Sequence, residues 1–350
     1  MLKQLFVLLF TLILIAACGD NKNEPEKILS DKEKYAFDST DLKLEGIDNS
    51  GKPFLMEYKF KKGDKVSYRL TNISNNVQTM IMDTTISQGV EQKIVYLLDL
   101  IVNEVDEEGT SEVDIKVNSV KLEATAGAEY FKFEAGKDTS KEDIKKYAEF
   151  QSFYNNSFSV RFNKKGDILE IFRADKISNK FLEIKEAADS LTTEQKSMIR
   201  QDLINKLLQP IVTQLIRKVP LKEVYKDSTW QIQQPTIPFL SYQIDYTNTY
   251  KVASVEKLDD DRIAVIDAGA IFNYSGQSKA NQGGILYTFQ KPLSTAEGKI
   301  YFDVDKGHQI KSRTKTRFEI TYTMEANTPM GKQKGTRKDL TLNIYVVEKL

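Results

Sequence analysis

Several common chemistries are excluded by what the chain lacks. It has one cysteine in 350 residues, so neither an internal disulfide framework nor a thiolate zinc cluster can be assembled. It has one histidine, His308 beside a turn glycine, and no G-x-S-x-G segment. Any Ser-His-Asp arrangement would have to be built around that single imidazole. Neither charge is in excess: 50 basic and 50 acidic residues leave no bulk field to draw the chain to nucleic acid. No apolar run reaches the roughly 20 residues that a bilayer core demands. With disulfides and metal clusters excluded, stability must come from packing. Hydrophobic residues at 40% and charged residues at 29% suit a globular domain that buries a core.

What is present begins with Leu5 to Ile15, about 11 apolar residues behind Lys3, which has the length and flanks of an export signal. Two small residues, Ala16 and Ala17, then precede the only cysteine, Cys18. Ile15-Ala16-Ala17-Cys18 resembles the bacterial lipobox, whose cysteine is lipidated on sulfur and becomes the new N-terminus after cleavage. The resemblance implies a signal peptide over 1–17, lipidation of Cys18, and residence in the bacterial cell envelope, at the outer membrane. A single acyl chain holds a protein weakly and two or more hold it stably. Bacterial lipoproteins typically carry three, so the expected partner is the membrane through a permanent N-terminal lipid. Residues 18–40 are polar and charged, with Asp20, Lys22, Glu24, Glu26 and Lys27 close together. Such a segment buries too little apolar surface to order itself and reads as a flexible tether.

Residues 41–350 read as a single β-rich domain. Alternating apolar and polar residues with turn signals between them predict antiparallel strands at Phe54–Phe60, Val66–Ile73, Ile94–Val105, Val113–Leu122, Tyr130–Phe133, Phe158–Phe162 and Ile168–Phe172. The same texture returns at Tyr242–Val255, Ile263–Tyr274, Ile285–Phe289, Ile300–Val304, Gln309–Met324 and Leu340–Val347. The first half is placed at about 54–173, the second at about 226–350, and a helical block at 175–219. In that block Ile177, Phe181, Ile184, Ala188 and Leu191 form one apolar stripe at the helical period, with Asp175 as its cap. Thr192 and Gln195 have the spacing of a capping box. The helix they open carries two apolar rows, and Pro210 should kink or split it before Pro220 ends it. A shorter helix is expected around Lys141–Phe153, capped by Ser140.

The two strand-rich halves look alike, and an internal repeat is expected. Phe158–Phe172 and Ile300–Ser312 are each a strand, an Asn/Asp-Lys-Gly turn and a second strand. A three-residue loop at Asp305-Lys306-Gly307 pairs Val304 with His308, Phe302 with Ile310 and Ile300 with Ser312. It puts Gly307 in the left-handed region of a bulged turn. A four-residue loop at Asn163–Gly166 pairs Val160 with Leu169 and Phe158 with Ile171. The fold class expected is α+β and predominantly antiparallel β. It would be a large twisted sheet or open half-barrel with the helical insert on its concave face.

Val219-Pro220-Leu221-Lys222-Glu223-Val224 followed by Asp227-Ser228-Thr229-Trp230 resembles an uncharacterised family of bacterial envelope lipoproteins. Those proteins have a Pro-x-x-x-Val segment before a Gly-Asp-Ser-Trp-like strand start. The likeness extends to Lys62-Gly63-Asp64 and Lys165-Gly166-Asp167, and Lys226 stands where that family tends to have glycine. The family has no established activity, so the resemblance implies an architecture and a compartment.

Gly46 to Lys52 has the spacing of a phosphate-binding loop, but Pro53 replaces the magnesium-holding Ser or Thr and a strand follows, so no nucleotide is expected. Asp303 to Gly307 begins like a calcium loop, yet Thr314 stands where a bidentate Glu is needed. The acidic runs Glu104–Glu108 and Asp259–Asp261 read as solvated turns. No metal and no cofactor are expected, and no carboxylate pair stands out for hydrolysis. Two features could serve binding. Tyr242, Ile244, Tyr246 and Tyr250 share one strand face, with Trp230 read as a core anchor. Lys311, Arg313, Lys315 and Arg317 share another face, opposite Ile310 and Phe318, and could lie against an anionic surface. The expected role is that of a lipid-anchored, non-catalytic lipoprotein with a structural or protein-interaction function, its partner an envelope protein. The alternative is a carrier of an apolar or amphiphilic ligand held between sheet and helices.

Overall fold

In the computed structural model the described residues are 38, 40–47, 51–239, 241–328 and 331–350. The signal segment, Cys18 and all of the tether except residues 38 and 40 lie outside them. The first strands are β1 (Glu45–Gly46), β2 (Lys65–Ile81), β3 (Thr85–Val105), β4 (Ser111–Ala126), β5 (Glu129–Glu134), β6 (Ser157–Phe162) and β7 (Ile168–Phe172). After the helical block come β8 (Thr229–Gln233), β9 (Ile237–Phe239), β10 (Tyr242–Leu258), β11 (Asp261–Gly276), β12 (Lys279–Gln282) and β13 (Ile285–Phe289). The last three are β14 (Leu293–Asp303), β15 (His308–Thr328) and β16 (Gly331–Lys349). All belong to one antiparallel sheet, which stays open and does not close into a barrel.

Across the sheet the order is β1-β10-β11-β14-β15-β16-β2-β3-β4-β6-β7. The run of neighbours β2-β3-β4-β6-β7 in the first half repeats as β8-β10-β11-β14-β15 in the second, and β16 joins them by pairing with β15 and β2. Each half is thus a succession of antiparallel neighbours that ends in a hairpin, β6–β7 in the first and β14–β15 in the second. The alternation seen in the sequence fixes one core face. Tyr68 and Leu70 on β2, Leu98 and Leu100 on β3, and Val113, Ile115 and Val120 on β4 are buried in it. Val252, Ile266, Ile300, Phe302 and Val347 continue it into the second half.

The predicted strand at Phe54–Phe60 does not join the sheet. Only Phe54 makes a bridge, to Val224. The segment is instead a strap across the two matching hairpin turns. The Tyr58 N–H donates to Lys164 O (2.8 Å) and the Lys59 N–H to Gly307 O (3.2 Å). Its alternation is genuine, since Phe54, Met56, Tyr58 and Phe60 are buried while Leu55, Lys59 and Lys61 are exposed. Tyr58 meets Phe162 of the first half and Phe302 of the second edge to face, at 5.5 and 5.6 Å. Gly307 (φ +68°) must be glycine on two counts, because a Cβ there would lie 2.5 Å from the Lys59 nitrogen.

Both hairpin registers differ from expectation in the same way. Ile300 pairs with Ser312 as expected, but Ile310 is left out of the ladder, so Phe302 faces Gln309 and Asp303 faces His308. In the first half Leu169 is left out, so Val160 faces Ile171 and Phe162 faces Ile168. The unpaired residue lies three positions after the turn glycine each time. A bulge of this kind satisfies both the turn and the core face, which a rule of simple alternation does not foresee. It sends Ile310 to the outer face, beside Tyr301 and Ile263.

The helices are α1 (Lys141–Lys146), α2 (Ala148–Phe153), α3 (Asp175–Ile184), α4 (Thr193–Leu203) and α5 (Gln209–Leu215). Ser140 caps α1. Helix α3 stops short of Ala188 and Leu191, because Glu186 turns left-handed (φ 56°) just beyond it. Asp175 is its first residue and makes no cap bond. Thr192 and Gln195 form the expected capping box. Between α4 and α5 lies a single π-turn, Ile204–Leu208, in which the Gln209 N–H reaches Ile204 O. Pro210 has no N–H to offer the preceding turn, and the widened turn absorbs that loss. The split expected at Pro210 thus takes the form of a π-bulge. Leu208, Val212 and Leu215 then press into the core face of the sheet.

Candidate ligand-binding site

The helical block covers the two halves unequally. One row of cross-strand neighbours runs across the core face through Phe133, Leu122, Ile94, Asn72, Tyr345, Thr314, Gly298, Ala268, Tyr250 and Trp230. Its first-half end is bulky and packed, with Phe133 and Phe153 fully buried. In the second half it shrinks to Thr314, Gly298 and Ala268 before rising again to Tyr250 and Trp230. Side chains of that size do not reach α5, and a cavity of about 1060 Å³ opens between them. That is the size of a small-molecule site.

One wall of the cavity is α5 and the chain after it: Gln209, Pro210, Thr213, Gln214, Ile216 and Arg217. The opposite wall is strand: Tyr246 and Tyr250 from β10, Ala268 from β11, Ala296 from β14, Thr314 from β15 and Tyr345 from β16. Ile232 to Pro238 forms a rim, and its two prolines restrict the chain there. Of the four residues expected to share a face of β10, Tyr246 and Tyr250 reach the cavity. Tyr242 packs on Phe289 in a separate cluster, and Ile244 is buried.

Arg217 is the charged group set into this wall. Its backbone is clamped by Tyr58, whose hydroxyl accepts from the Arg217 N–H (2.7 Å) and donates to Arg217 O (3.0 Å). Burial pushes the Tyr58 hydroxyl far above the ordinary tyrosine range, so it stays a neutral donor. The guanidinium Nη2 donates to Gln214 Oε1, while Nε is buried without a partner. No carboxylate pairs with Arg217 among the described residues. Burial pushes its pKa down, and only the Tyr250 and Tyr58 hydroxyls oppose this. Trp230 lies flat on Tyr250, ring centres 5.1 Å apart, and its Nε1 is likewise buried without a partner. It packs against the core as expected, yet its polar atom is unsatisfied.

The basic residues of β15 share one face, because the β15–β16 ladder runs past them without a shift. They do not form four matched outward charges. Lys311 is buried, its Nζ 2.7 Å from Asp38, and that bond holds the Asp38 carboxyl well below the usual range. Leu42, Leu44 and Tyr301 make the apolar surroundings on this outer face. Lys315 meets Glu297 (3.1 Å) and Arg317 meets Glu319 (2.8 Å). Arg313 is exposed, with no ion-pair partner among the described residues. Cys18 lies outside the described residues.

His308 is a core residue. Its ring stacks near Phe60 (6.4 Å), with Lys349 Nζ 2.8 Å from Nε2 and Lys306 O 3.5 Å from Nδ1. Asp303 accepts from the Asp305 and Lys306 N–H groups, and Asp305 holds Arg262. The turn's carboxylates are engaged within the protein. Among the described residues no group of three or more His, Cys, Asp and Glu could hold a metal ion.

Residues 108–309 match the model of a family of unknown function (DUF6263), a match that includes the Val219–Trp230 segment. No curated protein matches the sequence. Among solved structures the chain is similar to lipovitellin, described for its lipid–protein interactions, at 8% identity and a TM-score of 0.41. That likeness covers 83% of this chain and 25% of lipovitellin, so the chain spans about a quarter of that protein. It is also similar to Pseudomonas aeruginosa OccK2 (OpdF), solved with glucuronate, at 6% identity and 0.19, covering 81% and 96% of the two chains. The outer membrane channel COG4313 of Pseudomonas putida F1 follows at 8% and 0.16, covering 87% and 99%. Scores this low leave what the chain binds to its own geometry.

Proposed function

The chain belongs to the DUF6263 family of unknown function, and for it we propose a non-catalytic role as a lipid-anchored envelope protein that binds an apolar or amphiphilic ligand. The observation that supports this is the contrast between the two halves of one sheet. They share a strand pattern, and α5 lies over them, yet the first half is packed with Phe133, Phe153 and Phe158 while the second leaves about 1060 Å³. Interiors are close-packed, and an unfilled wall forfeits contacts that a filled one would make. A purely structural part would need no such hollow, so the carrier reading is preferred to the structural one. Cys18 supplies the anchor in this reading, and the rim at Ile232–Pro238 faces the route by which a guest enters.

The test is native mass spectrometry of the lipidated protein purified from its own envelope. A guest mass above that of the lipidated polypeptide is expected, and it should vanish in a Thr314→Phe variant that fills the floor of the cavity. A wild type with no guest, or a filled variant that keeps it, would remove the proposal.

A further inference from the structure

The cavity wall carries one cationic side chain, Arg217, that no carboxylate among the described residues matches. Arg217 Nε has no partner, and a guanidinium donates hydrogen bonds with no capacity to accept. Trp230 lies outside the lining, but its ring stacks on Tyr250, which lines the cavity. Leaving a buried donor such as Nε unsatisfied is costly, and the half-buried Arg217 side chain meets no anion of the protein among the described residues. The carboxylate on the cavity lining, Glu297, is matched by Lys315 at 3.1 Å and offers Arg217 no counter-charge. Lys218, also on the lining, is matched outside it by Asp167 at 2.7 Å. The unmatched charge of the site is therefore positive and belongs to Arg217. Its position is fixed on both sides, since Tyr58 clamps its backbone and Gly166 admits its carbonyl where a Cβ would lie 2.3 Å away. The apolar and aromatic part of the lining comes from Ile216, Ile232, Ala268, Tyr246 and Tyr345, and amides and hydroxyls such as Gln234, Asn248 and Thr314 share the wall with it.

We propose that the cavity selects amphiphiles with an anionic head group, a carboxylate or a phosphate, held by donated hydrogen bonds from the Arg217 guanidinium while the apolar part lies along the strand wall. This rests on the cavity being the binding site. A guanidinium suits either head group, because its planar fork meets two oxygens at once.

The protein carries its own probe, because Trp230 is the only tryptophan in the chain. Full-length protein is titrated with octanoate, octyl phosphate and 1-octanol, which share a tail, and binding is followed by Trp230 emission and by calorimetry. Both anions are expected to bind roughly tenfold or more tightly than the alcohol, the size of a charge-assisted hydrogen bond. Arg217→Gln should bring the anions down to the alcohol and leave the alcohol unchanged. Arg217→Lys keeps a charge without the fork and should retain part of the preference. A preference for octanoate alone or for octyl phosphate alone supports the proposal and identifies the head group. Equal affinities for all three in the wild type overturn it while leaving the cavity as a binding site, an outcome that needs no variant to fold. An Arg217→Gln variant that weakens alcohol and anions alike also overturns it. If none of the three binds, the cavity reading itself falls.

Discussion

His308 is buried with the Lys349 ammonium against its Nε2, and burial followed by that charge pushes its pKa below the ordinary value of 6.5. Asp303 and the Lys306 backbone act in the opposite sense, and the Lys306 charge adds a smaller push downward. In the unfolded chain the ring takes up a proton near pH 6.5, whereas in the folded chain it does so only at lower pH. The unfolded state therefore binds more protons below pH 6.5, and stability that is complete above that value declines as pH falls through it. Urea denaturation at pH 7.5 and pH 5 should show a loss in the wild type that His308→Gln reduces. Parallel losses in the two would mean that the ring protonates alike in both states. Packing gives a second residue-scale expectation. Leu208 is fully buried under the sheet, so Leu208→Ala should cost roughly 2–5 kcal/mol in chemical denaturation, while Ser197→Ala on the open face of α4 costs little. Leu208 was legible from helical period alone. Arg217 was not, because a basic residue near the end of a helix is most simply read as solvated. Only the fold brings it beside Tyr250 and beneath Tyr58.

The strap at 54–60 is the element on which the two halves meet, and its crossing of Gly307 can be separated from the turn itself. Gly307 and Gly283 both have positive φ, at +68° and +61°. A Cβ at Gly283 meets nothing within 4 Å, whereas one at Gly307 strikes the strap backbone at 2.5 Å. Gly283→Ala should therefore lose only the local backbone cost of about 1–2 kcal/mol. Gly307→Ala should lose more, because Lys59 must also move. Equal losses by denaturation would deny the strap any part in stability. The alternation of Phe54, Met56, Tyr58 and Phe60 correctly marks one buried face, but alternation says nothing about which partner covers it. The same limit explains the missed bulges at Leu169 and Ile310, where the ladder yields to the turn. It also explains why β2 and β3 extend well past the predicted strands. Residues 74–92 are mostly polar and largely open to solvent, so no hydrophobic period announces them.

At the scale of the whole molecule, fold class was the most legible property, since it follows from many turn signals and one repeated alternation. The hollow second half was the least legible. It depends on a row of residues from strands far apart in the sequence, and Ala268, Gly298 and Thr314 read singly as ordinary strand positions. Their shared meaning appears only when the pairing sets them side by side. The remaining property at this scale is where the domain is held, and it turns on Cys18. The apolar stretch before it is too short to span a bilayer core, and no helix among the described residues is long and apolar enough to do so. Membrane attachment in this reading therefore depends on lipid, and one acyl chain contributes too little to be permanent. In cells that make the full chain, the wild type should pellet with membranes, resist alkaline extraction, and give an N-terminal peptide that starts at a lipidated Cys18. Cys18→Ser should leave a chain without covalent lipid that is released by alkali or retained as the uncleaved precursor. A wild type whose N-terminal peptide carries a free Cys18 thiol would remove the anchor and, with it, the reading of the first eighteen residues. A wild type that is lipidated while its cavity holds no guest would separate the two halves of the proposed function, leaving an anchored protein without cargo.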